Sequence, residues 1–177
     1  MTELELIAGH PVLDFANLGR EDVVRVAVAA GLVSAHESQH LRPGKGELGR
    51  LMELRDALRR AFGAIAAGKE PARDALDHIA REAALAARHA RLRSTRKGRI
   101  TRELDASSSG VGLIRFRVAD AAMALLASDA LPRIKVCPAC AWLFLDASKN
   151  HSRRWCSMET CGGADKARRY YRKKRAT

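Results

Sequence analysis

Hydrophobic positions between residues 47 and 68 recur at steps of three and four: Leu51, Leu54, Leu58, Phe62 and Ile65. That spacing places them on one face of an amphipathic helix. Gly68 is the natural stop, because glycine readily takes the left-handed conformation that ends a helix. The next stretch, PARDALDHIAREAALAARHARL, has a thinner stripe made by Leu76, Ile79, Ala83, Ala86 and Ala90, and Pro71 suits its first turn. The short connection predicts that these two helices run antiparallel.

Upstream, GHPVLDFANLGRED predicts a short extended piece and turn before a helix that starts near Arg20, continues through EDVVRVAVAAGL and stops at Gly31. SAHESQHL fits a short helix with Ser34 at the N-cap, and RPGKG reads as a loop. Downstream, RITREL and GLIRFRV flank the turn-rich DASSSG and predict a β-hairpin. ADAAMALLASDAL then returns to helical spacing through Ala121, Leu125 and Leu126, with Pro132 as its stop. The fold class expected is mainly α: a helical N-terminal domain with a small β-hairpin, followed by a small cysteine-bearing module.

Composition sharpens this picture. The chain has 177 residues, 47% of them hydrophobic and only 5% aromatic, so its core should be helix packed on helix through modest side chains. A chain of about this size buries roughly 70% of its unfolded surface and needs no covalent staple. It has no apolar run of about 18 residues, and MTELELIAGHPV lacks the basic and apolar regions of a signal peptide. The expectation is a cytoplasmic protein that does not enter a membrane.

Charge is unevenly spread. Residues 131–177 carry twelve Lys and Arg against three acids, a net charge of +9, and the formal total is +12. A composition change this sharp puts a domain boundary near LPRIKV, between a unit of residues 1–130 and one of residues 131–177. The basic unit suits a polyanionic partner, although a cationic tail also serves solubility.

All four cysteines lie in that basic unit, as Cys137-x2-Cys140-x15-Cys156-x4-Cys161. Zn2+ takes four tetrahedral thiolate or imidazole ligands; a CxxC turn supplies two, and a second pair returns after a hairpin-sized interval. A site closed by four thiolates leaves no position for a reactive water. An iron–sulfur cluster also accepts four thiolates. A thioredoxin-like couple would need a βαβ setting that is absent, and a disulfide framework would need an oxidising compartment. His151 can in principle replace one thiolate, but four cysteines already fill the shell.

Between the cysteine pairs, AWLFLDASKN predicts a short strand and turn. Trp142 and Phe144 share one strand face beside the metal, Trp155 joins them, and Asp146 is placed to accept from Arg153, Arg154 or turn amides. After Gly162, GADKARRYYRKKR predicts a helix. Ala164, Ala167 and Tyr171 fall on a face suited to packing on the metal module, with Lys166, Arg169, Tyr170 and Lys173 opposite. The nucleic-acid contacts expected are Lys149, Arg153, Arg154, Lys166, Arg169 and Lys173, with binding that weakens steeply as salt rises.

The run CPAC, WLFLDAS, RRWCSMETCG and a following Lys resembles the CGNR zinc-finger family at its four cysteines and at Phe144, Asp146, Ser148, Arg153, Arg154, Trp155, Gly162 and Lys166. GHPVLDFANL resembles the LDFxNT signature of the ABATE domain, which precedes that finger in such proteins. The resemblance implies a stress-induced bacterial transcription regulator whose finger binds DNA. This chain has CGGA where the family has CGNR, so Gly163 and Ala164 replace Asn and Arg, and Leu18 stands in place of Thr. Asn and Arg can read bases or phosphates, or the Asn can cap the helix, a role glycine partly preserves.

In the larger unit, Asp14, Phe15 and Asn17 form a possible ligand pocket; the plainer alternative makes Leu13 and Phe15 core and the two polar residues turn or helix caps. His36 and His40 are four apart but lack a metalloprotease motif and read as surface residues. There is no nucleophile elbow, P-loop or dinucleotide glycine motif, so no enzyme is expected. The helical unit is expected to sense a small molecule, form a homodimer or meet another protein. Double-stranded DNA is the expected partner, with RNA, or a zinc module serving as mere scaffold, as the competing readings.

Overall fold

The computed structural model describes residues 6–19, 23–95, 98–104 and 112–175. The predicted helix start at Arg20 and the DASSSG turn lie outside these residues. Pro11–Ala16 forms a helix, α1, where an extended piece was expected. Its start follows from local chemistry: the His10 ring accepts from the Val12 N–H at 3.3 Å, and Pro11 occupies a position where its missing N–H costs nothing. The residues from Val12 to Ala16 are all buried, so the segment has no polar face and shows no amphipathic period.

Helix α2 spans Val23–Ala29. Gly31 ends it at φ 69°, with Leu32 donating back to the Ala27 carbonyl at 2.8 Å. Helix α3, Ala35–Ser38, opens on the expected Ser34 cap, which forms a reciprocal capping box with Glu37. Helix α4, Lys45–Ala66, takes in part of the expected loop, and Gly68 follows it at φ 65°. Helix α5, Arg73–His89, starts just after Pro71. It runs antiparallel to α4: Arg60, late in α4, meets Asp74 in the first turn of α5 at 2.9 Å.

The α5 stripe keeps Ile79 and Ala86 of the expected set but buries Ala75 and Glu82 in place of Leu76 and Ala83. Ala75, Ile79, Glu82 and Ala86 are buried, with Leu76 and Ala83 at its margin. A carboxylate can occupy this face because Arg115 bridges Glu82 and Glu47, the latter at 2.8 Å. Buried charge survives when it is paired.

The hairpin lies elsewhere than expected. Strands β1, Arg91–Ser94, and β2, Ile100–Glu103, pair with Arg91 opposite Glu103. GLIRFRV instead opens helix α6, Leu113–Leu126. Leu113, Ile114, Phe116, Val118, Ala119, Ala122 and Leu125 are all buried because α6 packs against α1, α4 and α5. A helix covered on nearly every side has the continuous apolar and β-branched composition of a buried strand. It ends at Ala127, ahead of Pro132, which lies in a 3-10 turn spanning Leu131–Arg133.

Strands β3, Ile134–Val136, and β4, Leu143–Leu145, make a second antiparallel pair. Leu143 and Leu145 face the helical core, together with Ile134. Phe144, between them, faces a separate cluster of Cys137, Cys156, Cys161, Trp142, Trp155 and Ile7. Strand alternation thus lets β4 serve two cores at once. A π-helical turn, Met158–Gly162, leads into helix α7, Gly163–Arg175. No described helix is long and apolar enough to cross a membrane.

Candidate metal centre

Cys137 follows β3, and the CPACA segment reverses the chain sharply. Cys137 donates to the Trp142 carbonyl and Ala141 donates to the Cys137 carbonyl, each at 2.8 Å, with Ala141 in the left-handed region at φ 60°. On the other side, Cys156 precedes Ser157, whose hydroxyl accepts from the Thr160 N–H at 3.2 Å and caps the π turn carrying Cys161. Gly162 packs closely there: a Cβ would meet the Met158 sulfur at 3.1 Å.

These two turns bring the four Sγ atoms within 4.8 Å of one another. Cys140 and Cys156 are 3.5 Å apart, Cys156 and Cys161 3.7 Å. A disulfide requires ~2.05 Å. A tetrahedron with zinc–sulfur bonds of ~2.3 Å has edges of ~3.8 Å. The donor set therefore fits a tetrahedral thiophilic ion, and all four thiols are free to supply it. His151 stands outside the set, its Nδ1 3.4 Å from the Asp146 carbonyl oxygen.

Electrostatics favour a cation here. Burial raises the Cys137 thiol, but N–H groups of Cys156, Ala139 and Cys140 outweigh it and bring it down to about 6. Burial pushes Cys140 up, and burial with the neighbouring sulfurs pushes Cys156 further up. The Cys137 thiolate forms readily, while Cys140 and Cys156 need a bound cation to offset burial and repulsion.

The loop between the cysteine pairs is built around Asp146, which is fully buried. It accepts from the Ser148 hydroxyl at 2.6 Å, the Ser148 N–H at 3.0 Å and the Arg153 N–H at 2.9 Å. Its ion-pair partner is Lys135, at 2.6 Å, rather than Arg153 or Arg154. Burial raises the Asp146 carboxyl, but Lys135 and Ser148 overcome this and hold it well below the usual carboxylate range. Lys135 also donates to the His151 and Arg153 carbonyls at 2.6 and 3.1 Å. Sequence reasoning missed Lys135; its clue was a lysine in a strand register opposite the buried Phe144.

Arg153 has a different job from the expected nucleic-acid contact. Its guanidinium donates to the Trp155 carbonyl at 2.8 Å and to the carbonyls of Cys156 and Ile7, and lies over the Phe144 ring at 5.1 Å. Lys149, Arg154 and Lys166 are exposed, and Arg154 stacks over Trp155 at 5.0 Å. The side chains of Arg169, Tyr170 and Lys173 lie outside the described residues.

Helix α7 corrects two further expectations. Ala164, Ala167 and Tyr171 do share a face, but it is exposed, because Phe144, Trp142, Trp155 and Ile7 already fill the small core. Gly163 is not an N-cap: it has helical φ and ψ of −60° and −46°, and the N-cap of the continuous π turn and helix is Ser157. Position 163 is open, since a Cβ there would meet only the Met158 carbonyl oxygen at 3.7 Å.

The possible pocket residues lie at the junction of the helices with the metal module. Asn17 exchanges two hydrogen bonds with the Leu143 backbone, each at 2.8 Å. Asp14 accepts from the Ala8 N–H at 3.0 Å, and the Ala8 carbonyl accepts from Leu145 at 2.7 Å. Burial raises the Asp14 carboxyl, opposed by the N–H groups of Ala8 and Ile7. Phe15 is fully buried in the helical core. Gly9, at φ 74°, lets the chain pass the Leu145 carbonyl, which a Cβ would meet at 3.4 Å. From α4, Arg59 reaches the Ala141 carbonyl at 3.2 Å.

Two family comparisons bear on this geometry. The CGNR zinc finger matches residues 133–174, the four-cysteine module with its terminal helix. ABATE, whose description reads "Putative stress-induced transcription regulator", matches residues 9–131, the helical part. No curated protein matches the chain. The chain belongs to the ABATE family and carries a CGNR zinc finger at the C-terminal side of the helical domain.

Proposed function

We propose that the protein is a DNA-binding transcription regulator in which a structural zinc ion organises a cationic docking surface. The supporting observation is the four-sulfur cage in a module that exposes Lys149 and Arg154. Bound zinc would supply a cross-link between the two turns, and in modules this small such binding supplies on the order of 10 kcal/mol of folding free energy. Cys137, Cys140, Cys156 and Cys161 fill a tetrahedral shell, so the role is structural and non-catalytic. Asp146 and Lys135 fix the loop that carries Lys149 and Arg154. The helical domain, joined to β4 through Asn17, would transmit a signal or set the oligomeric state.

The test is a titration of zinc-loaded protein against random-sequence duplex DNA and single-stranded RNA across a salt series, followed by selection for an enriched duplex motif. The reading predicts tighter duplex binding, a steep salt dependence and an enriched motif. Preference for unpaired RNA, or failure on both nucleic acids at low salt, would overturn it.

A further inference from the structure

The sequence pattern assigns the Ala164, Ala167 and Tyr171 face of α7 to packing, yet that face is open. The two alanines line a shallow recess with Arg168, Tyr171, Arg172 and Arg175, and Tyr171 is 64% exposed. Among residues 163–175 there are seven Lys and Arg against the single acid Asp165. The main described contact of α7 is with the π turn at its start.

We propose that this face of α7 is the surface that seats on duplex DNA, with Arg168, Arg172 and Arg175 on the phosphates. The proposal rests on the DNA-binding reading above and adds the face of contact. Thirteen helical residues extend ~20 Å, and the three arginines climb one side in steps of ~6 and ~4.5 Å. The duplex major groove, ~12 Å wide, admits an α-helix, whereas the A-form RNA groove is too narrow for side chains to read. Arg168 lies 3.9 Å from Asp165, with its side chain 59% exposed; so long and open a pair contributes little and leaves the guanidinium able to turn to a phosphate.

The experiment uses the full zinc-loaded chain, random duplex DNA and a salt series. One variant is the triple Arg168→Gln, Arg172→Gln, Arg175→Gln, which keeps helix propensity and removes three cations. The other is Ala164→Arg, which adds a cation four residues before Arg168 on the same face. Each phosphate neutralised contributes ~0.9 to the slope of log affinity against log salt. The expected result is a slope shallower by roughly 2.7 for the triple variant and steeper by ~0.9 for Ala164→Arg. Circular dichroism establishes that both variants are folded. Wild-type duplex binding with slopes unchanged in both variants would overturn this face while leaving the DNA reading intact. Absence of wild-type duplex binding would overturn the DNA reading itself, and this face with it.

Discussion

Asn17 grips both backbone polar groups of Leu143, a residue 126 positions later in the chain: Nδ2 donates to its carbonyl and Oδ1 accepts from its N–H, each at 2.8 Å. A side-chain amide offers a donor and an acceptor side by side, so it can imitate a neighbouring β-strand. With the Ala8 carbonyl accepting from Leu145, the N-terminal segment covers the free edge of β4. One edge of this short strand pairs with β3 and the other is held by the helical domain. The finger is therefore seated on α1, and the helical core shares Ile134 and Leu143 with it.

Replacing Asn17 with Ala should leave buried backbone groups of Leu143 unpaired and cost about 1–3 kcal/mol. Urea denaturation should show a lower midpoint, and Asn17→Asp, which cannot donate to the Leu143 carbonyl, should lose a similar amount. An unchanged midpoint in both variants would contradict the proposed seat.

Lys135→Met should be more damaging than its surface-basic appearance suggests, because it removes the ion-pair partner of a fully buried carboxylate. Breaking such a pair costs on the order of 3–5 kcal/mol. The Asp146 carboxyl is held low in the native state, so its contribution is present above the unfolded carboxylate pKa and is lost as pH falls below it. Lys135→Met should raise the native value and bring the acid-induced loss of zinc to higher pH, followed by metal release to a chromogenic chelator. Release curves that superimpose on wild type would contradict this role.

Glu37 offers a second, independent acid limb. Hydrogen bonding to Arg117 pulls its carboxyl down from 4.5 to about 2, although burial opposes this. A group whose pKa is lower in the native state stabilises above its unfolded value and loses that contribution as pH falls. The stabilisation should be full at neutral pH and disappear between about pH 4.5 and 2. Glu37→Gln should lower stability at pH 7 and flatten the profile through that window, as measured by thermal melts at each pH. An unaltered profile would contradict the Glu37–Arg117 contribution.

Much of this was legible in the chain itself. The amphipathic helix of Leu51 to Ile65, the Ser34 cap, the Gly31 and Gly68 stops and the four-cysteine spacing all rest on local chemistry. Elements defined by burial on every side were not legible: α1 and the start of α6 have no polar face to mark their period. The long-range pairs were also hidden. Nothing local tells that Asn17 meets Leu143, that Arg115 allows Glu82 to be buried, or that Arg153 spends its guanidinium on the carbonyls of Trp155 and Cys156.

Cys156→Ser should abolish the metal stoichiometry and alter the fluorescence of Trp142 and Trp155, which pack against the sulfur cluster. Most far-ultraviolet helical signal should persist, since α4, α5 and α6 lie in the separate core. Retention of the wild-type metal content, measured by elemental analysis after dialysis, would contradict the four-thiolate assignment.

The zinc finger and the N-terminal segment form one seat, closed by Asn17 and Leu143. Hydrogen exchange followed by mass spectrometry, with zinc bound and after chelation, tests it most directly. Chelation should raise exchange in residues 133–146 and also in residues 8–17, while α4 and α5 remain protected. Exchange that rises across the finger but leaves residues 8–17 at their zinc-bound level would contradict it.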